Sequence, residues 1–193
     1  KFNFFFFIKP KMIRIYPFIF ILLWSSAFIT TKPIVDNSDP FSALAFRFFF
    51  VALGFYLFSI FSKQTIVVNR KNLIESILSG VLFHGFYLGG VFYSISIGMP
   101  TGIAALIVTL QPVLTNALSQ PILGEKVTKK QWFGVFLGFL GAILVLGLDL
   151  GEKIPVIGLV ATIVALISIT ASTIWQKKLS NDLPLSVSNF YQA

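Results

Sequence analysis

Six long apolar segments constrain the fold of this chain more than any other feature. Each segment is 18 to 25 residues long, and a helix of about 20 apolar residues spans the hydrocarbon core of a bilayer. The sequence therefore predicts an all-α polytopic membrane protein. The segments cover residues 13–31, 40–61, 73–97, 101–123, 131–148 and 154–176, and a seventh begins near Leu185.

Composition and cysteine content exclude other classes of protein. Of the 193 residues 56% are apolar and only 11% are charged, whereas about a quarter of the residues in a soluble domain are charged. Disorder is excluded as well, because it requires low hydrophobicity. The sequence has no cysteine, so these residues form no disulfide framework and no cysteine-ligated metal site.

Local signals mark where three of the helices begin. Asp39 precedes Pro40, the arrangement of an N-cap followed by proline at the first helical position. Two pairs have capping-box spacing: Asn72 with Glu75, and Thr128 with Gln131. The predicted connections between helices are short, starting with 32–39 and 62–72, so the spans belong to one membrane domain.

The basic residues predict the orientation in the membrane. Twelve of the 15 Lys and Arg residues lie in the N-terminal tail and in alternate connections. Only Lys32 and Lys153 lie on the opposite side, and Arg47 lies within a span. Under the positive-inside rule the N-terminus is cytoplasmic. Basic residues spread in this way do not form the clustered face of a nucleic-acid binder, so no nucleic-acid partner is expected.

Polar side chains at similar depth in four segments predict a substrate pathway. Such residues usually face a bundle interior or a water-filled cavity, and an Arg near mid-depth costs about 2.5–3.5 kcal/mol on insertion scales. The predicted pathway residues are Trp24, Ser25, Ser26, Arg47, His84 and Gln111.

Each of these predictions has a structural alternative. Arg47 either binds an anionic substrate group, such as a carboxylate or phosphate, or snorkels to headgroups or bonds helix carbonyls. His84 either handles protons or is a packed, hydrogen-bonded side chain. Gln111 and Asn116 could simply bond across helices. Pro112 predicts a helix kink, which either lines the pathway or only curves the helix.

Small residues four apart predict close helix packing. The third segment contains two such pairs, Ser76 with Gly80 and Gly85 with Gly89, and the fifth contains Gly134 with Gly138. Small residues let helix backbones approach each other. This packing is expected within the chain, with a dimer face as the alternative.

Catalytic signatures are missing from the sequence. It contains no Walker loop, HExxH, GxSxG or GxGxxG motif, and no pair of carboxylates lies at mid-membrane depth. We therefore expect no catalytic residues, no cofactor, no metal site and no enzyme activity. The alternatives are a structural or assembly subunit of a membrane complex and a polytopic membrane enzyme.

Short motifs spread over five helices resemble a known family. They are Trp-Ser-Ser-Ala-Phe at 24–28, Lys-Pro at 32–33, Leu-Ala-Phe-Arg-Phe at 44–48, Gly-Ile-Ala-Ala-Leu at 102–106, Gln-Pro at 111–112, Leu-Gly-Glu-Lys at 123–126 and Gln-Trp-Phe-Gly at 131–134. Their order and spacing resemble the EamA-type transporters of the drug/metabolite transporter (DMT) superfamily, although Ser25 stands where that family often has glycine.

The resemblance implies a bundle of ten helices built from two five-helix EamA repeats. Residues 1–12 would be a cytoplasmic tail or upstream extension, 13–148 the first repeat, and 154–193 the start of the second. Because five is odd, a second repeat inserts inverted. We expect a truncated ten-helix bundle, completed by about 110 more residues at about 20 per span or by a second copy.

The resemblance also implies a function and a location. Family members are secondary transporters, whether exporters, exchangers or facilitators, that move small metabolites such as amino acids or nucleotide-like compounds, or drugs, by alternating access. The expected location is the bacterial inner membrane. The expected partners are the lipid bilayer and a small-molecule substrate, which Arg47 predicts to be anionic.

Overall fold

The computed structural model describes residues 15–124, 127–146, 154–179 and 183–193, and every regular element in these ranges is a helix. The all-α prediction is confirmed. The predicted tail 1–12 lies outside the described residues. The helices are α1 (Tyr16–Asn37), α2 (Pro40–Phe61), α3 (Arg70–Ser96), α4 (Thr101–Val108), α5 (Gln111–Leu123), α6 (Lys129–Leu146), α7 (Val156–Leu179) and α8 (Leu185–Gln192).

Five stretches of helix among the described residues are long and apolar enough to cross a membrane. They are α1, α2, α3, the α4–α5 stretch Thr101–Ser119, and α7. The predicted fifth span forms the helix α6, but α6 is not one of these five, and its crossing stays a prediction. The predicted seventh helix begins at Leu185, as expected.

Two of the three predicted helix starts are confirmed. The Asp39 carboxylate accepts a hydrogen bond from the backbone N–H of Ser42 at 2.8 Å. Thr128 and Gln131 form a reciprocal capping box: the Thr128 N–H donates to Oε1 of Gln131 at 2.8 Å, and the Gln131 N–H donates to Oγ1 of Thr128 at 3.3 Å. Each side chain satisfies a backbone group that the helix leaves without a partner.

The predicted start of α3 at Asn72 is wrong. The cap is Asn69, whose side-chain oxygen accepts from the Asn72 N–H at 2.7 Å, so α3 begins at Arg70. Two asparagines three residues apart offer the same capping chemistry, and the capping-box spacing to Glu75 favoured the second of them.

Helix α1 ends later than the sequence predicted. The connection was expected from Lys32, but the helix continues through Pro33 to Asn37. An ion pair between Lys32 and Asp36, four residues apart at 2.6 Å, supports the extra turn. The Asn37 side chain donates to the Pro33 carbonyl at 2.8 Å, which satisfies a carbonyl in the last turn.

The core lies where α3 packs against α7. Tyr87, Val91 and Ile95 of α3 are buried in one cluster with Ala165 and Ile169 of α7. The cluster thus combines one aromatic ring with aliphatic side chains from both helices. The centre of the described bundle is therefore built by two helices that lie far apart in sequence.

Glycines show which helix faces are in close contact. A Cβ atom on Gly90 would lie 2.9 Å from the Ala161 carbonyl oxygen of α7, and one on Gly80 would overlap the backbone of Gln192 in α8. The packing in α3 is thus within the chain. Gly134 and Gly138 of α6 have no described atom within 4 Å of such a Cβ. For α6, packing within the chain and a dimer face therefore both stay predictions.

A chain of polar side chains links α3, α7 and α8. Ser79 and Ser172, both fully buried, lie with their hydroxyls 3.2 Å apart. The Gln176 amide donates to Ser172 at 3.2 Å and to Gln192 at 3.1 Å, and Gln192 donates to Ser188 at 2.7 Å. These bonds fix α7 and α8 against α3 near the α2–α3 connection.

Candidate functional site

A cavity of about 180 Å³ lies between α1, α2 and α3. Six lining residues come from α1, one from α2 and five from α3. Most of them are aromatic or aliphatic, and among the described residues the lining contains no Asp or Glu and one charged residue, Arg47. The cavity is therefore apolar, with one cationic group.

A π-helical segment within α3 forms one wall. The eight residues Val81–Leu88 adopt this wider helix, between α-helical turns on either side. Phe83, Tyr87 and Leu88 of the segment line the cavity. Short π segments in α-helices are frequent at functional sites. The nearby glycines, at 80, 85, 89 and 90, lower the preference for a regular α-helix.

Aromatic rings from α1 and α3 meet across the cavity. The Trp24 and Tyr87 rings are nearly parallel, with centroids 6.4 Å apart. Phe83 contacts Tyr87 edge-on at 5.3 Å, and Phe20 contacts Trp24 at 5.4 Å. Tyr87 is only 3% exposed, and its hydroxyl has no hydrogen bond with any described residue. Of these residues Trp24 was predicted from the sequence, whereas Phe83 and Tyr87 were not.

Arg47 supplies the positive charge of the cavity. It lies seven residues into α2, about 10 Å from the helix start at 1.5 Å per residue. Its guanidinium carbon is 5.9 Å from the centre of the Phe48 ring. In the described parts of the chain no acid forms an ion pair with Arg47, and no helix carbonyl accepts a hydrogen bond from it.

His84 lies outside the cavity lining. Its ring packs against Phe48, with centroids 4.2 Å apart, and against Phe83 at 5.1 Å. The Nδ1 atom is buried and has no hydrogen-bond partner among the described residues. His84 therefore packs against Phe83, which lines the cavity, and against Phe48, the residue that follows Arg47.

The serines and the glutamine of the predicted pathway also lie outside the cavity lining. Ser25 is exposed, and the Ser26 hydroxyl donates to the Leu23 carbonyl of its own helix at 2.8 Å. The Gln111 amide donates to the Thr173 hydroxyl at 3.1 Å, a bond from α5 to α7. The structure thus brings Trp24 and Arg47 together at the cavity, and not the other four.

Comparison with known proteins places the chain in a family. The sequence pattern of the EamA-like transporter family matches residues 12–147, which is most of the chain. The chain belongs to the EamA-like transporter family. It is accordingly a multi-pass membrane protein of a transporter family. No solved structure matches it.

Several curated proteins are similar to this EamA-like chain. A "Probable amino-acid metabolite efflux pump" of Salmonella typhimurium is 26% identical over 85% of this chain and 53% of its own length. A protein of the same name from Escherichia coli is 26% identical over 82% and 51%. An "Uncharacterized transporter in sor 3'region" of Acidianus ambivalens is 33% identical over 68% and 50%. The chain spans about half the length of these relatives.

The fourth predicted span of this EamA-like chain is broken. Helix α4 ends at Val108 and α5 begins at Gln111, and the Leu110 N–H donates to the Ile107 carbonyl at 3.1 Å in a tighter turn. Pro112 has no N–H to donate to the Val108 carbonyl. The break therefore lies in the turn before the proline.

The described residues offer no metal site. No group of three or more His, Asp or Glu side chains lies close enough together to hold an ion in the described ranges. The chemistry available at the cavity is thus hydrogen-bond donation from Arg47, Trp24 and Tyr87 together with aromatic contact. This arrangement can bind a molecule with an acceptor group and an apolar body.

Proposed function

We propose that the complete protein is a secondary transporter of small organic metabolites, such as amino acids or nucleotide-like compounds, or of drugs, and not an enzyme. The cavity between α1, α2 and α3 forms part of its substrate path. The observation that carries this proposal is Arg47, which lies at an apolar cavity in a membrane span and has no ion-pair partner among the described residues. A charge in such a place usually marks a substrate or ion pathway.

Alternating access follows from the proposed repeat organisation. Residues 13–148 form the first repeat, and 154–193 begin an inverted second repeat, so that a substrate path lies between the two. The protein lies in the bacterial inner membrane with its N-terminus in the cytoplasm. Rocking of one repeat against the other opens the path to each side in turn, and the break before Pro112 gives the fourth span a place to bend.

The substrate is expected to carry a negative group. A guanidinium binds a carboxylate or phosphate through two parallel hydrogen bonds. In a medium of low dielectric constant an unpaired cation gains most from such a partner. Arg47 would then have a counter-ion only while substrate is bound. Substrate binding would therefore stabilise the cavity.

The structural-subunit alternative predicts a different site. A subunit that only holds a complex together would bury its mid-depth polar groups against other helices, as Gln111 does with Thr173. Arg47, Trp24 and Tyr87 instead line an open volume. This difference supports the transporter.

Transport by the full-length protein tests the proposal. Radiolabelled organic anions and amino acids are offered to proteoliposomes, and flux is compared for wild type, Arg47→Ala and Arg47→Lys. Hydrogen bonds to charged groups contribute about 1.5–3 kcal/mol, so Arg47→Ala should lower the apparent affinity about 10- to 150-fold. Arg47→Lys should retain part of it, because the charge remains and the two-pronged geometry is lost.

The matched control is Arg70→Ala, which removes an exposed arginine at the start of α3. Its flux should equal that of wild type. Unchanged affinity and flux for both Arg47 variants would contradict a role for Arg47 in substrate binding. A protein that moves none of the offered compounds, in either direction, would contradict the transporter assignment.

A further inference from the structure

The charge balance of the cavity narrows the substrate class. In the described part of the chain its lining carries one cation and no carboxylate. Of the three acids among the described residues, Asp36 is paired with Lys32 at 2.6 Å, Asp39 caps α2, and Glu75 lies 3.9 Å from Lys71. A bound zwitterion would find no acidic partner for its ammonium group among the described residues of the lining. A bound anion would meet Arg47 directly.

The aromatic rings would by themselves also attract a cation, because the face of an aromatic ring is electronegative. Arg47 lies at the same cavity and has no counter-ion among the described residues. A second cation would therefore be repelled by the guanidinium while it gained contact with the rings. The rings alone would favour a cation as ligand, whereas Arg47 makes the cavity favour an anion.

The size of the cavity sets the size of the apolar body. Its volume is about 180 Å³, and a dry cavity of about 150 Å³ lined by apolar side chains is large enough to hold benzene. One six-membered ring therefore fits, with its polar group directed at the cavity edge.

The shape of the walls favours a flat ring. Trp24 and Tyr87 present nearly parallel faces, and Phe83 stands edge-on to Tyr87. Aromatic pairs prefer these offset-stacked and edge-to-face arrangements. A planar ligand can extend the existing cluster in the same geometry, whereas a puckered aliphatic ring of equal size cannot stack.

We propose that the cavity selects a small aromatic carboxylate, a monoanion with one planar ring, over zwitterionic amino acids and amines. Its ring packs against the stacked Trp24–Tyr87 pair and extends that cluster, and its carboxylate accepts two hydrogen bonds from Arg47. The Tyr87 hydroxyl, which has no partner among the described residues, supplies a further donor. This substrate class rests on the proposed transport function and adds selectivity to it.

Equilibrium binding to the full-length protein in phosphatidylcholine nanodiscs tests the proposal. The probe is radiolabelled benzoate, and the competitors each change one property. Phenylalanine adds an ammonium, benzylamine replaces the anion by a cation, acetate lacks the ring, and cyclohexanecarboxylate lacks planarity. Benzoate should bind about tenfold tighter than phenylalanine, benzylamine and acetate, and a few-fold tighter than cyclohexanecarboxylate. Phenylalanine or benzylamine that binds as tightly as benzoate overturns the proposal.

Variants connect this binding to the named side chains. Arg47→Gln should weaken benzoate binding about tenfold or more, since it removes the charge and the two-pronged geometry. Tyr87→Phe keeps the ring, and therefore the fold, and should weaken binding only a few-fold. The control Arg70→Gln should bind as wild type does. If Arg47→Gln proves unstable, Arg47→Lys replaces it, and benzoate affinity equal to wild type in that variant overturns the role given to Arg47.

A lipid headgroup could provide the same anionic chemistry from a different source. Binding is therefore repeated in nanodiscs that contain phosphatidylglycerol. Unchanged benzoate affinity supports a free carboxylate as the ligand. Loss of about tenfold or more that depends on Arg47 would mean that anionic lipid occupies the cavity, which overturns the substrate proposal.

The substrate class and the transport function fail in different ways. Benzoate that binds in an Arg47-dependent manner but never crosses a proteoliposome membrane contradicts transport and leaves the binding preference intact. Flux of an amino acid that depends on Arg47, with no benzoate binding, contradicts the substrate class and leaves transport intact. Benzoate flux that is lost in Arg47→Gln and retained in Arg70→Gln supports both.

Discussion

Substituting Gly90 by alanine probes the contact on which the core depends. An added Cβ would lie 2.9 Å from the Ala161 carbonyl oxygen and 3.2 Å from the Ala165 Cβ. Ordinary contacts of this kind begin near 3.4 Å, so α7 must move away from α3 by roughly half an ångström. The oxygen belongs to a helix backbone, which cannot swing aside as a flexible side chain could.

The cost of Gly90→Ala should resemble that of overpacking a core, about 1–3 kcal/mol. The matched control is Gly138→Ala on α6, where no described atom lies within 4 Å of the new Cβ, and it should raise stability by about 0.5–1 kcal/mol because alanine is the better helix former. Unfolding of the purified protein in mixed micelles, by increasing the mole fraction of dodecyl sulfate, measures both. Equal stability of the two variants would refute the close approach of α3 and α7 at Gly90.

Three further changes test the hydrogen bonds that shape the helices. Ser172→Ala removes the buried bonds to Ser79 and should lower the free energy of unfolding by about 0.6 kcal/mol, the mean for polar contacts between membrane helices. Thr128→Ala removes the cap of α6 and should cost about 1 kcal/mol. Asp39→Ala should destabilise α2 at pH 7. The N–H of Ser42 holds the pKa of the Asp39 carboxyl below its ordinary value of 3.8, so the stability that Asp39 adds is lost as the pH falls through that lowered pKa.

Each of these has a contrasting variant in the same unfolding assay. Thr128→Ser keeps the hydroxyl and should retain most of the stability, and the same loss for serine and alanine would contradict the capping box. For Ser172, the double variant with Ser79→Ala should lose less than the sum of the two single losses, and full additivity would mean that the hydroxyls do not interact. A difference between Asp39→Ala and wild type that persists unchanged to pH 2 would contradict the carboxylate cap.

The sequence predicts the helices well because span length and end capping are local properties. The second helix begins at Pro40 as expected, and Thr128 with Gln131 caps α6. Errors arise where local signals compete. Asn69 and Asn72 carry equivalent capping groups, and Lys32 marks the end of the apolar run while its ion pair with Asp36 continues the helix.

The cavity was only partly predictable, because depth in the membrane does not determine the direction of a side chain. Trp24, Ser25 and Ser26 lie at one depth, but consecutive residues point about 100° apart around a helix of 3.6 residues per turn. Only Trp24 faces the cavity. Tyr87 was overlooked because an aromatic side chain in an apolar segment looks like any packing residue, and the π segment that orients it has no distinct sequence pattern.

Cysteine labelling tests most directly whether this cavity belongs to the transport path. The 193 residues contain no cysteine, so a single one can be introduced without removing others from this part of the protein. Ala27 lines the cavity, and Ala45 on α2 is exposed outside the lining. In membranes, Ala27→Cys should react with a water-soluble methanethiosulfonate reagent, and a transported substrate should slow that reaction. Ala45→Cys should react slowly and show no response to substrate. Equal labelling rates at the two positions, both insensitive to a substrate that the protein transports, would contradict the assignment of the cavity to the path.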